Sequence, residues 1–186
     1  MSVTAAEGFV AAGLHAGIKN GGRRDSSLVA TDDGKPVPTA AVFTRNKFCA
    51  PPVEASRERL EASGGHAVGV IVNSGNANAG TGDRGRGDAE AMCAGAAQAV
   101  GCDPADMLVC STGLIGYRLP MRKIQAAIPG LAKALSRDGN RDAAKGILTT
   151  DTRPKEALAK GDNYVVGGMA KGCGMLAPNM ATMLAF

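Results

Sequence analysis

The stretch "HAVGVIVNSGNANAGTGD", His66 to Asp83, decides the fold class. Its first ten residues are a near-continuous apolar run, too short for a helix and lacking polar alternation. That is the pattern of a strand covered on both faces. The apolar run gives way abruptly to Asn73, Ser74, Asn76 and Asn78, alternating with Gly and Ala. Such residues bond backbone groups and set a sharp loop. A helix follows, for which Asp88 is the expected cap and Gly101 the expected terminator of "AEAMCAGAAQAVG". A strand buried on both faces and followed by a helix means layers: an α/β protein.

The rest of the chain extends that pattern. Strands are expected at "FVAAGLHAGI" (9–18), "SSLVAT" (26–31) and "PTAAVFT" (38–44), separated by the turn-forming "KNGGRRD" and "DDGKP". "DMLVCSTG" (106–113) reads as a second short buried strand that runs into a glycine turn. Pro120 suits the first turn of a helix through "MRKIQAAI", with Pro129-Gly130 expected to interrupt it before a second piece, "LAKALSRDG". "NRDAAKGILTTDT" reads as a helix ending in a threonine-rich loop, and "EALAKGDNYVVGG" as a hairpin turning near Gly161-Asp162.

Composition narrows the function classes. The 186 residues suffice for one domain with a real core. They include 26 glycines, about twice the usual share, and only 3% aromatics with no tryptophan. Such a core is built of small and aliphatic side chains, which pack well only where elements approach closely. The net charge of +4 is scattered, without the basic stripe and interleaved aromatics of a nucleic-acid surface. Five cysteines form no CxxC pair and only His15 and His66 accompany them, so neither a disulfide framework nor a zinc site is indicated. No run reaches the length of a membrane span, and a cytoplasmic protein is the plain expectation.

Three motifs compete for the chemistry. "GTGDRG" (80–85) matches G-x-G-x-x-G, but "SGNANA" separates it from the strand end. A dinucleotide site needs that turn directly on the strand, so the motif reads as a glycine loop. "CSTGLIG" (110–116) puts Thr112 and Gly113 at a strand end, where a hydroxyl and a backbone N–H could aim at one point as an oxyanion hole. A plain strand-end turn explains the same residue types. "KGCGMLAPNMAT" (171–182) offers three nucleophiles: Cys173 as a thiolate beside Lys171, Lys171 as a Schiff-base amine, and Thr182. Thr182 could attack the preceding carbonyl, cut the chain and use its new α-amine as base. A free α-amine has a pKa of roughly 7.7–8.0, near the value a general base wants. Residue chemistry alone leaves the three open.

Six segments in order give the chain a resemblance to the ornithine acetyltransferases, the glutamate N-acetyltransferases of arginine biosynthesis. They are "GFVAAGLHAGIK" (8–19), "AAVFTRNKFCAPPV" (40–53), "IVNSGNANAGTGD" (71–83), "STGLIGYRLPM" (111–121), "ILTTDTRPK" (147–155) and "GGMAKGCGMLAPNMATML" (167–184). The resemblance implies a layered α/β sandwich, like that of the aminopeptidases sharing the same self-cleaving logic. It implies that a precursor cuts itself between Ala181 and Thr182. Residues 1–181 are then an α-chain portion, and 182–186 the start of a β chain. Thr182 is implied as the catalytic nucleophile and a substrate contact, Thr112 and Gly113 as the oxyanion hole, and Thr149 and Lys171 as substrate-binding residues. The implied reaction moves an acetyl group from N-acetylornithine to glutamate through an acetyl-threonine intermediate. No cofactor is implied, with acetyl-CoA left open as a second acetyl donor. The implied partner is the chain's own β chain, as αβ heterodimers in larger oligomers. The alternative is an amidohydrolase or aminopeptidase of the same fold. The family continues through a β chain about as long again, so these residues read as part of a precursor. A chain with Ala181 and Thr182 still joined, lacking a free threonine amine, is expected to be inactive.

Overall fold

The computed structural model describes residues 2–176, 180 and 183–186. Along the chain run β1 (Phe9–Leu14), β2 (Ser26–Thr31), β3 (Val37–Pro38), α1 (Pro51–Ala62), β4 (His66–Ala67), β5 (Gly69–Asn76) and α2 (Gly82–Val100). After a short 3₁₀ turn come β6 (Met107–Leu114), α3 (Met121–Lys133), α4 (Asn140–Gly146), β7 (Lys155–Lys160), β8 (Val165–Lys171) and β9 (Leu184–Ala185).

Among the described residues the central sheet is ordered β1-β2-β5-β6. The first two pairings are antiparallel, and β5 runs parallel to β6, with α2 as the crossover. Alternation along these strands divides the core in two. Ala12, Leu28, Ile71 and Val109 face α1, α2 and α3, packing on Ala55, Met92, Ala96, Ile124 and Ile128. Ala11, Val29 and Val72 face the other way, onto Ala143, Ala144 and Ile147 around α4 and onto Met169 of β8. The sheet is therefore covered on both faces, as the apolar run in β5 predicts, and the mixed α/β class stands.

Several expected boundaries move. The strand expected over 9–18 ends at Leu14, because residues 15–25 fold around a carboxylate. Asp25, fully buried, accepts from the N–H groups of Ala16 (2.6 Å), Ile18 (2.7 Å) and Lys19 (2.9 Å). Of the expected strand at 38–44 only Pro38 is in a strand, the two-residue β3, which pairs with β4. Val42, 82% exposed, has no sheet to pack on, and β-propensity without a neighbouring strand makes no strand. Helix α2 begins at Gly82, so Asp88 lies inside it and caps nothing; it does stop at Gly101, which is left-handed (φ 90°).

Helix α3 passes through Pro129 without breaking. A proline inside a helix costs about 3 kcal/mol. Burying Ile124, Ile128 and Leu131, spaced i, i+4 and i+7, returns about 1.5–3 kcal/mol apiece. Burial wins. Helix α1 is an element that no expectation above includes, although Pro51-Pro52 in its first turn is a start signal.

Candidate active site

The parallel strands β5 and β6 end side by side, with Asn73 opposite Ser111, Ser74 opposite Thr112 and Gly75 opposite Gly113. The carboxyl ends of parallel strands are where α/β sheets place their ligands. Here the register breaks: Asn76 partners both Thr112 and Leu114, an irregularity that turns the chain at Gly113. Gly113 has φ 136°, and a Cβ there would stand 2.5 Å from the Asn76 nitrogen. Both conformation and space demand glycine.

The polar run that follows the apolar stretch of β5 is buried and turned inward. Asn73 donates to the Asn76 carbonyl (2.7 Å), Asn76 to the Arg118 carbonyl (2.6 Å) and Asn78 to the Gly85 carbonyl (2.7 Å). Ser74 donates from its N–H to the Asp25 carbonyl (2.7 Å) and from its hydroxyl to the Gly146 carbonyl. "GTGDRG" spans the end of the loop 77–81 and the first turn of α2, and the Thr81 hydroxyl donates to the Asn78 side chain (2.6 Å). The motif is a glycine loop tied down by Asn78.

Lys171, at the end of β8, reaches across the layer to this strand end. Its Nζ donates to the Thr112 hydroxyl oxygen at 2.9 Å, and both residues are buried, at 3% and 2% exposure. An ammonium only donates, whereas a hydroxyl has one proton to give and two lone pairs to accept with. The contact therefore occupies a Thr112 lone pair and turns its proton toward another acceptor. Burial lowers the Lys171 pKa, against the opposing pull of Asp151.

Asp151 ties the remaining segment in. Its Oδ1 accepts from the Gly172 N–H (2.9 Å) and from Lys155 Nζ. Burial alone would raise this carboxyl; the hydrogen bonds from Lys155, from the Gly172 N–H and from the Thr149 N–H hold it below its ordinary value. Thr149, half-buried in the loop after α4, is thus joined through one carboxylate to Gly172, the residue after Lys171, whose ammonium feels the same charge. Asp151 and Asp25 were not among the expected site residues, although the aspartate inside "TTDT" was a visible signal.

Thr112, Gly113, Thr149 and Lys171 are therefore brought to one place. Ala181 and Thr182 lie outside the described residues. The first described residues after them return to this site: the Met183 Cα is 3.7 Å from where a Gly172 Cβ would be, and Leu184 pairs with Lys171. Cys173 is exposed, its sulfur 3.0 Å from the Thr150 hydroxyl, while burial pushes the Cys93 and Cys110 thiols up to about 12. A depression of about 320 Å³ at the other end of β2, lined by Val10, Thr31 and Val100, includes none of these site residues. Among the described residues, no group of three or more His, Cys, Asp or Glu could hold a metal ion, and no helix is long and apolar enough to cross a membrane.

Residues 10–186 match the ArgJ family. The chain belongs to the ArgJ family. Among its relatives, the arginine biosynthesis bifunctional protein ArgJ of Thermobifida fusca (strain YX) is 48% identical over 184 residues, 99% of this chain and 47% of the relative. That of Methylococcus capsulatus is 50% identical over 175 residues, 92% of this chain and 42% of the relative. The ArgJ-family chain thus spans just under half the length of these curated relatives. Among solved structures, ornithine acetyltransferase from Mycobacterium tuberculosis, complexed with ornithine, superimposes with a TM-score of 0.90 at 43% identity. That match covers 97% of this chain and 96% of the solved one. The arginine biosynthesis bifunctional protein from Bacillus halodurans gives a TM-score of 0.86 at 39% identity, covering 97% and 95%.

Proposed function

We propose that this chain is the α-chain portion of an acetyltransferase that moves the acetyl group of N-acetylornithine to glutamate, acting in the cytoplasm in arginine biosynthesis. Residues 1–181 form that portion, and Thr182 opens the β chain. The observation that carries the reading is the double engagement of Lys171. Its ammonium donates to Thr112, and its backbone pairs with Leu184, two residues beyond Thr182. The oxyanion donors and the segment that follows the nucleophile thereby share one anchor.

In this reading the Thr182 hydroxyl attacks the Ala181 carbonyl and the Ala181–Thr182 C–N bond breaks, which frees the threonine amine and leaves an ester; hydrolysis of that ester releases the Ala181 carboxylate and restores the Thr182 hydroxyl. That amine takes the hydroxyl proton as Thr182 Oγ attacks the acetyl carbonyl. The Thr112 hydroxyl and the Gly113 N–H stabilise the oxyanion, a pair of donors whose individual loss costs about 10²–10³ in turnover. Ornithine departs with its nitrogen protonated. Glutamate then attacks the acetyl ester, and the proton returns to Thr182. Thr149 and Lys171 contact substrate beside the acetyl group. The reading needs no resident cofactor, and acetyl-CoA enters only as a second acetyl donor. The matching solved chains, similar in length to this one, support a discrete α chain. In this reading it pairs with its β chain, as αβ units in larger oligomers.

The test uses the full-length protein. Intact-mass measurement should show a break before Thr182, abolished by Thr182→Ala, and cleaved protein should form N-acetylglutamate from N-acetylornithine and glutamate. An uncleaved precursor with full activity would remove Thr182 as the nucleophile. Release of acetate to water, with glutamate ignored, would make the enzyme a hydrolase instead.

A further inference from the structure

Residues 15–25 are far more ordered than a connection between two antiparallel strands requires. Buried Asp25 takes three backbone N–H groups, the last of them from Lys19 itself at 2.9 Å. The Lys19 side chain then leaves the loop and crosses Gly75 at the end of β5. A Cβ at Gly75 would stand 2.8 Å from Lys19 Cγ and 3.2 Å from Ile18 Cγ2, so glycine at 75 is what lets the lysine stem lie there. Gly75 is the register partner of Gly113, and its neighbour Ser74 is the partner of Thr112. Lys19 therefore lies against the strand end that carries the oxyanion donors.

Its charge is held as well as its stem. Nζ donates to the Arg24 carbonyl at 2.8 Å, which takes one of three N–H groups; among the described residues no second acceptor is bonded to it. The charges around it come from both sides of the site. Asp25 and Asp151 favour its ammonium, while Arg23 and Lys171 oppose it. Burial is the largest influence and brings its pKa to about 8, so at neutral pH Lys19 is still mainly a cation. A half-buried cation that retains donors and is fixed beside an oxyanion hole has the chemistry of an anion anchor.

We propose that Lys19 is a specificity-determining residue, the anchor for the α-carboxylate that the acetyl donor and the acetyl acceptor have in common. In an Nα-acetyl amino acid that carboxylate is attached to the carbon next to the amide nitrogen, so it lies close to the acetyl carbonyl seated at Thr112 and Gly113. One cation beside the oxyanion hole can therefore read both substrates of a two-stage transfer, whereas their differing side chains need separate recognition. The assignment rests on the acetyl-transfer reading above.

Steady-state kinetics of the full-length protein would compare N-acetylornithine with its carboxamide, with glutamate as acceptor, in wild type, Lys19→Met and Lys19→Arg. The expected result for Lys19→Met is a KM for N-acetylornithine raised about 10- to 100-fold, the loss of one charge-assisted hydrogen bond. Its kcat should stay within about threefold, and its KM for the carboxamide should be unchanged. Lys19→Arg should keep most of the preference for the carboxylate. Lys19→Met raising both KM values alike, lowering kcat alone, or retaining the carboxylate preference would overturn the assignment, as would a Lys19→Arg enzyme as undiscriminating as Lys19→Met. A wild type that transfers no acetyl group would instead overturn the functional reading on which the assignment stands.

Discussion

Lys171 and Thr112 meet at 2.9 Å in a buried place where neither can be replaced without consequence for the other. Thr112→Val would leave an ammonium facing a methyl group, and Lys171→Met would free the Thr112 hydroxyl to rotate. Groups that share one hydrogen bond are not additive, and coupling energies of about 0.5–3 kcal/mol are usual for contacting pairs. A double-mutant cycle on kcat/KM in the full-length protein is expected to show a coupling in that range. Independent effects would mean that Lys171 acts on substrate alone and does not orient the hydroxyl. The pair was only half legible in sequence. "STG" and "AKG" each resembled a family motif, but the chain separates them by 59 residues and nothing local pairs an ammonium with a hydroxyl. Asp25 was less legible still, because an aspartate after "GGRR" reads as turn chemistry until its three N–H partners are seen.

At the scale of an element, α1 does more than cover the sheet. Strand β6 is the edge of the central sheet, and an exposed edge invites pairing with another chain. Ser56 on α1 closes it: the Val109 N–H donates to Ser56 Oγ at 3.0 Å, and the same hydroxyl donates to the Val109 carbonyl at 2.9 Å. Arg59 of α1 then binds Glu90 of α2 and Arg86 of α2 binds Glu58 of α1, while Glu90 also pairs with Arg86 within α2. Ser56→Ala strips Val109 of both partners in a buried position, at about 1–3 kcal/mol for a buried group left unsatisfied. Urea denaturation should show the midpoint falling with the slope unchanged. An unaltered midpoint would show that water or the strand itself satisfies Val109. This role is invisible to pattern reading. Helix α1 is rich in Arg and Glu and presents a weak apolar stripe, because its inward face meets a sheet edge through a serine.

Over the whole molecule, some glycines serve turns at positive φ, and others are there because the layers approach closely. Gly146 ends α4 directly beneath β2, where a Cβ would stand 2.7 Å from the Ser26 carbonyl oxygen and overlap the Ser27 hydroxyl. Gly13 of β1 faces the Asp142–Ala143 backbone in the same manner. Two effects oppose each other in Gly146→Ala. Helix propensity favours alanine by about 1 kcal/mol, while overpacking a tight interface costs about 1–3 kcal/mol. Since the obstacles are the Ser26 backbone and a Ser27 hydroxyl already bonded to the Ala143 carbonyl, the second should win, and thermal unfolding is expected to show a lower Tm. A raised Tm would mean that α4 can slide away from the sheet without loss.

The sequence by itself determined the class of fold and the neighbourhood of the site. The apolar run of β5 requires cover on two faces, the buried runs and glycine turns mark where strands end, and the motif order carries the family. Those are local or cumulative signals, written in periods of two and in turn chemistry. What only the tertiary structure decided is which ends meet: Lys171 on Thr112, Asp151 joining Thr149 to Gly172, Lys19 across Gly75. It also decided that α3 would run through Pro129 and that "PTAAVFT" would find no sheet. In each case the deciding energy is burial or a hydrogen bond between residues far apart in the chain. Such contacts exist only once the layers have closed, so no local stretch could record them.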